Sequence, residues 1–297
     1  MPSNPSPFEP YPGVGRHWRN RFGGPVRRVS LDAGLSCPNR DGTVGRGGCL
    51  FCDPASFSPS AGDPRPVAHQ LAEGIGRLRA RGVTRVAAYF QPHTNTHAPL
   101  DTLRRVWDAC LPFSEVVALC VGTRPDCVPG PVLDLLAGYA DRWEVWVELG
   151  LQSAHDPTLA LLRRGHTAAD FADAAARARA RGLKVCAHVI LGLPGEGPEH
   201  EKRTARFLAG LGVEGVKLHQ LAVVRGTALE ALWRRGEVRV LAEGEYVDRA
   251  ARFLRRLPPD TVIHRLVGDT RADRLLAPVF DRNRVIAAVR ARIGKGE

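Results

Sequence analysis

The chain has 297 residues, of which 44% are hydrophobic and 25% charged; that is enough to bury a full core, and it excludes a disordered or fibrous protein. Lysine and arginine outnumber aspartate and glutamate by 42 to 31, a formal charge of +11, so a polyanion such as nucleic acid enters as a partner class. Only four lysines stand beside 38 arginines, however, and compositional bias explains that imbalance equally well.

No uninterrupted apolar run approaches the roughly 20 residues needed to span a bilayer. The opening MPSNPSPFEP carries neither a basic n-region nor an apolar h-region, so a soluble, cytoplasmic protein is expected. Seven cysteines, an odd number unevenly spread, point to reduced thiols rather than a disulfide framework.

In chain order, residues 1–26 read as an irregular N-terminal arm whose Arg16, Arg19 and Arg21 face any polyanion. RRVSLD (27–32) is the first predicted strand, followed by a long loop and a helical pattern over 65–82 that stops at glycine. Strand 83–90, helix 99–110, strand 115–122, helix 129–140 and strand 144–152 follow, with a proline at the start of each of these two helices. Helix 167–182, strand 183–192, helix 198–212 and strand 214–224 complete six strands joined by helices, with no hairpin between them. Such βα units build either an incomplete barrel or an open doubly wound sheet, and in both the site lies beyond the strands' C-terminal ends. Gln91, Gly122, Gln152 and Gly192 all fall at those ends.

The segment CPNRDGTVGRGGCLFC sets Cys37, Cys49 and Cys52 as C-x11-C-x2-C in a glycine-rich loop after the first strand. A structural zinc site wants four protein ligands, and this loop holds no fourth cysteine and no histidine, so zinc would need a distant ligand. A 4Fe-4S cluster on three cysteines leaves one iron open to a small molecule. Cys110, Cys120, Cys127 and Cys186 read as small apolar residues, with Cys127 the most exposed candidate of the four. His93 and His97, four apart in a proline-containing loop, have no helical face to align them as a metal pair and read as surface histidines.

The cysteine loop resembles that of the radical S-adenosylmethionine (SAM) superfamily, and within it the YtqA/YhcC-type proteins and the radical SAM domain of the Elongator catalytic subunit. Supporting strings are FQ…NT after the second strand, GTRPD, ELGLQS, RRGH, HVILGLPGEG and the closing HRLVGD. The resemblance implies an α/β fold: an incomplete (β/α)6 TIM-like barrel over 27–257, with a C-terminal helical extension at 258–297 packed on it. It also implies that Cys37, Cys49 and Cys52 ligate a 4Fe-4S cluster, that Phe51 packs against the adenine of SAM, and that Gln91 replaces the glycine-rich segment that usually holds the SAM amino group. Arg124, Glu148, Gln152, Arg164, Gly192 and Gly195 are the remaining implied SAM contacts, with solvated arginines the competing reading for Arg163 and Arg164. The implied chemistry is reductive cleavage of SAM to a 5′-deoxyadenosyl radical, with flavodoxin or ferredoxin as electron donor. The leading expected substrate is a tRNA wobble uridine; a small metabolite is the alternative, and a non-catalytic zinc- or cluster-binding adaptor the third reading.

Overall fold

The computed structural model describes residues 11–294, so the expectation for residues 1–10 lies outside the described residues. Helix α1 (Val14–Phe22) leads into strand β1 (Val26–Leu31); two single-turn helices, α2 (Pro38–Asp41) and α3 (Pro54–Phe57), shape the long loop before α4 (Val67–Arg79) and β2 (Arg85–Phe90). Then come α5 (Leu100–Asp108), β3 (Val116–Thr123), α6 (Gly130–Ala137), β4 (Glu144–Gln152), α7 (Asp156–Leu161), α8 (Ala168–Arg179) and β5 (Lys184–Leu191). The chain continues through α9 (Pro198–Leu211), β6 (Gly215–Gln220), β7 (Val223–Val224), α10 (Ala228–Arg234), α11 (Glu243–Leu254), β8 (Val262–Arg265), β9 (Leu275–Ala277) and α12 (Arg282–Gly294).

Seven strands form one parallel sheet in the order β1-β2-β3-β4-β5-β6-β8, while β7 and β9 make a small antiparallel ribbon. The strands are covered on both faces: every residue of β4 is buried, which is why they read as continuous apolar runs rather than alternating ones. Local chemistry sets the helix ends. Thr167 and Asp170 close a reciprocal capping box on α8, and Gly212, in a left-handed conformation, ends α9. Gly74 lets α4 press on β1, because a Cβ there would sit 2.3 Å from a Val29 methyl.

Two expectations change. The arm is not irregular throughout: residues 14–22 are helical, capped by Gly23 in the left-handed region. Val14, Trp18 and Phe22 recur every four residues and pack at the N-terminal end of the barrel with Val26, Ala87, Tyr89, Ala118, Cys120, Trp146, Cys186 and Val262. A single stripe of three apolar residues among arginines is too short for periodicity to reveal. The C-terminal extension, for its part, does more than pack on the core, since its β8 pairs parallel with β6 as the seventh strand and Ile263 bridges to Gly13.

Candidate active site

The C-terminal ends of the strands surround a cavity with about 1250 Å³ of empty volume including its open mouth, as large as sites for small ligands. Cys37, Cys49 and Cys52 line it together with Phe51, Gln91, Arg124, Glu148, Gln152 and Arg164. Gly192 and Gly195 are not among the lining residues; the Gly192 N–H donates to Glu201, and a Cβ on it would strike Leu241.

At the rim, short helix α2 starts directly after Cys37, and the Asn39 side chain folds back so that Nδ2 lies 3.3 Å from Cys49 Sγ and 2.6 Å from the Arg163 carbonyl. Arg164 is buried, which removes the solvated reading for it. Its Nη1 donates to Cys49 Sγ at 3.1 Å, its Nη2 to the Gly150 carbonyl at 2.8 Å and its Nε to His166 at 3.3 Å. Gly150 makes room for this, since a Cβ would come within 2.9 Å of both Arg164 and Gln152. Burial pushes the Cys49 thiol up, but the Arg164 charge and the two hydrogen bonds outweigh it and hold the group below its ordinary value. Burial and the neighbouring Cys49 raise Cys52 to about 12. A soft donor set of three thiols in one cavity, one of them biased to thiolate, fits an iron–sulfur cluster.

Arg124 forks onto Asp126 through Nε at 3.0 Å and Nη2 at 2.7 Å, while its Nη1 is buried without a partner at the cavity wall. The ordinary Arg124–Asp126 pairing is therefore present, with one guanidinium N–H left over. Gln91 accepts from Ser30 and donates to the Phe57 carbonyl, so its amide is already held. Gln152 carries a φ of 72°, a strained conformation for a residue other than glycine.

His93 and His97 part company. His93 lines the cavity, half-buried, with Nδ1 unpartnered; His97 pairs with Asp41 at 2.9 Å. Cys127 lies outside the cavity's lining, where burial raises its thiol to about 12, the opposite of a reactive thiolate. Cys110, Cys120 and Cys186 are buried.

Deeper in the barrel, β strands converge on Glu148, whose side chain is fully buried. Lys217 Nζ lies 2.5 Å from its carboxylate, His188 Nε2 2.7 Å, Arg28 Nη2 3.3 Å and His264 Nδ1 3.5 Å. Burial raises the carboxyl, but Lys217 and Arg28 outweigh it and hold Glu148 well below its ordinary range. Lys217 is pulled down to about 8 by burial, and its ammonium also donates to the Tyr89 hydroxyl at 2.7 Å. Sequence reasoning named Glu148 as a site residue but missed Lys217, Arg28, Tyr89 and His264 as its partners. The available signal was Arg28 inside a predicted strand, between the buried Val26 and Val29.

An incomplete parallel barrel with three cysteines at the rim of its cavity defines a class, and comparison with known proteins agrees. The radical SAM superfamily model matches residues 41–208 and the Radical_SAM C-terminal domain model residues 213–295. The chain belongs to the radical SAM superfamily and is a radical SAM enzyme. Protein YhcC of Escherichia coli K12 is 45% identical over 266 residues, covering 89% of this chain and 85% of that protein. YtqA of Bacillus subtilis is 36% identical over 290 residues, 96% of this chain and 90% of its own length. A tRNA uridine(34) acetyltransferase of Dehalococcoides mccartyi is 34% identical over 157 residues, but these are 52% of this chain and 33% of that protein. Among solved structures, archaeal Methanocaldococcus infernus Elp3 shares the fold with a TM-score of 0.69 at 22% identity, over 91% of this chain and 63% of that one. Among the described residues no helix is long and apolar enough to cross a membrane.

Proposed function

We propose that Cys37, Cys49 and Cys52 hold a 4Fe-4S cluster, that SAM binds against it in the cavity, and that the enzyme modifies a tRNA wobble uridine. The observation that carries the cofactor reading is the convergence of the three thiols on one cavity that no fourth cysteine lines. When bound and reduced by a donor such as flavodoxin or ferredoxin, the cluster supplies the electron that splits SAM into methionine and a 5′-deoxyadenosyl radical.

The chain's own residues bind and orient. Asn39 and Arg164 fix Cys49. Arg124 offers its spare N–H to the SAM carboxylate, Gln91 and Gln152 present polar groups to the methionine moiety, and Phe51 supplies an apolar face to the adenine.

The tRNA substrate is supported by the partial likeness to a tRNA uridine(34) acetyltransferase and by the +11 charge. An unpaired anticodon base can be extended into a cavity. A small metabolite is the second reading, favoured by the enclosed polar network around Glu148.

Anaerobic cluster reconstitution, dithionite reduction and an assay for 5′-deoxyadenosine test the cofactor reading. Wild type releases the nucleoside and Cys49→Ala does not; no cluster and no cleavage, with zinc bound instead, would return the adaptor reading. For the substrate, tRNA affinity should fall steeply with salt. Undetectable or salt-insensitive tRNA binding favours the metabolite.

A further inference from the structure

Below the cysteine rim, the cavity floor holds more positive than negative charge. Arg265 of β8 lines it, and next to it Glu148 pairs with Arg28 of β1 and Lys217 of β6. Asp269, exposed at the mouth, is a second carboxylate whose charge acts on Arg265. The surrounding histidines add no positive charge: burial and neighbouring cations hold His188 at about 4, His264 at about 3 and His219 well below its ordinary value. With Asp269 counted beside Glu148, three cations face two carboxylates, one of them exposed, which leaves a surplus near one charge.

Arg265 is where that surplus meets the cavity. It lines the wall beside His219, Gly268 and Tyr89. Its Nη2 lies 2.6 Å from Nδ1 and 2.8 Å from Nε2 of the neutral His219 ring, and its Nε is buried without a partner. A guanidinium that ends on a neutral ring is only partly satisfied. This floor is also distinct from the rim: Glu148 and Gln152 lie on the same strand, about 13 Å apart along it at the usual strand rise. Arg124 and Arg164 serve the rim, leaving Arg265 for another group.

We propose that the floor receives an anionic group of the substrate, a carboxylate or a phosphate, with Arg265 as its donor. This rests on the assignment of the rim to SAM. It names a substrate class for the same cavity: a small acid, or the nucleotide phosphate of a larger substrate, that places its charge on the floor and its C–H nearer the rim.

The test is binding of inorganic phosphate and, separately, acetate to the cluster-reconstituted full chain, followed by calorimetry and thermal unfolding against potassium chloride of equal ionic strength. Wild type should bind at least one anion saturably. Arg265→Gln should weaken binding by about tenfold or more, the loss expected for a hydrogen-bonded charge. Arg265→Lys, which keeps the charge, should recover most of it and controls for folding. Preference for phosphate points to a nucleotide or phosphorylated substrate, preference for acetate to a carboxylic acid. No response beyond chloride, equal binding by Arg265→Gln, or competition between the anion and SAM would overturn the proposal. Anion binding that depends on Arg265 in a protein that yields no 5′-deoxyadenosine would keep the anion site and sink the cofactor reading instead.

Discussion

Glu148→Gln changes no volume and removes one charge, which makes it the cleanest perturbation of the barrel interior. The carboxylate is fully buried and lies between Lys217 at 2.5 Å and Arg28 at 3.3 Å. Opposite unit charges 4 Å apart attract by about 4 kcal/mol at an effective dielectric near 20. Breaking a buried pair by removing one partner costs about 3–5 kcal/mol, because the other charge stays behind. Lys217, already drawn down to about 8 by burial, loses its attraction and titrates lower still. Urea unfolding of the full chain, followed by circular dichroism and tryptophan fluorescence, should show Glu148→Gln less stable by about 3–5 kcal/mol. Lys217→Met should also destabilise, and the double variant should lose less than the sum of the two, with a coupling of about 1 kcal/mol or more. A loss below about 1 kcal/mol for Glu148→Gln, with additive single effects, would refute the account of a mutually dependent buried pair.

Trp18→Ala removes a buried side chain whose Nε1 donates to Glu144 at 2.9 Å and whose ring lies under Arg28; unfolding should show a loss of about 3–5 kcal/mol, whereas a dispensable arm would show almost none. Arg164→Lys keeps the charge but not the three-way fork onto Cys49, Gly150 and His166. Chelator-driven loss of iron from the reconstituted variant should be faster by on the order of tenfold, measured by absorbance, and an unchanged rate would detach Arg164 from the cluster. Stability should also fall with acid. His188 and His264 stay neutral in the folded chain down to about 4 and about 3, while in the unfolded chain they bind protons near 6.5. Their contribution is complete above about 6.5 and shrinks as pH drops toward 4, with Glu148 adding a further loss below its ordinary value near 4.5. A urea midpoint that stays level between pH 7 and 4.5 would contradict this.

The alternation of strands and helices was legible because its signals are local: buried parallel strands are short apolar runs, and helix boundaries carry glycine, proline and capping residues within a few positions. The cysteine loop was legible for the same reason, since Cys37, Cys49 and Cys52 fall within sixteen residues directly beyond the first strand. Where sequence reasoning fell short, the deciding partner was distant. Arg28 meets His264 across 236 positions and Glu148 meets Lys217 across 69, contacts set by strand register and the closing of the sheet by β8. Helix α1 is a helix because Trp18 has the barrel's lower end to fill and Glu144 to bond, and neither is visible in RHWRNRF. Local periodicity and turn chemistry thus determined the succession of strands and helices and set the cysteine loop beyond the first strand, whereas tertiary structure alone decided which charges share the barrel's interior, because that depends on register between strands far apart in the chain.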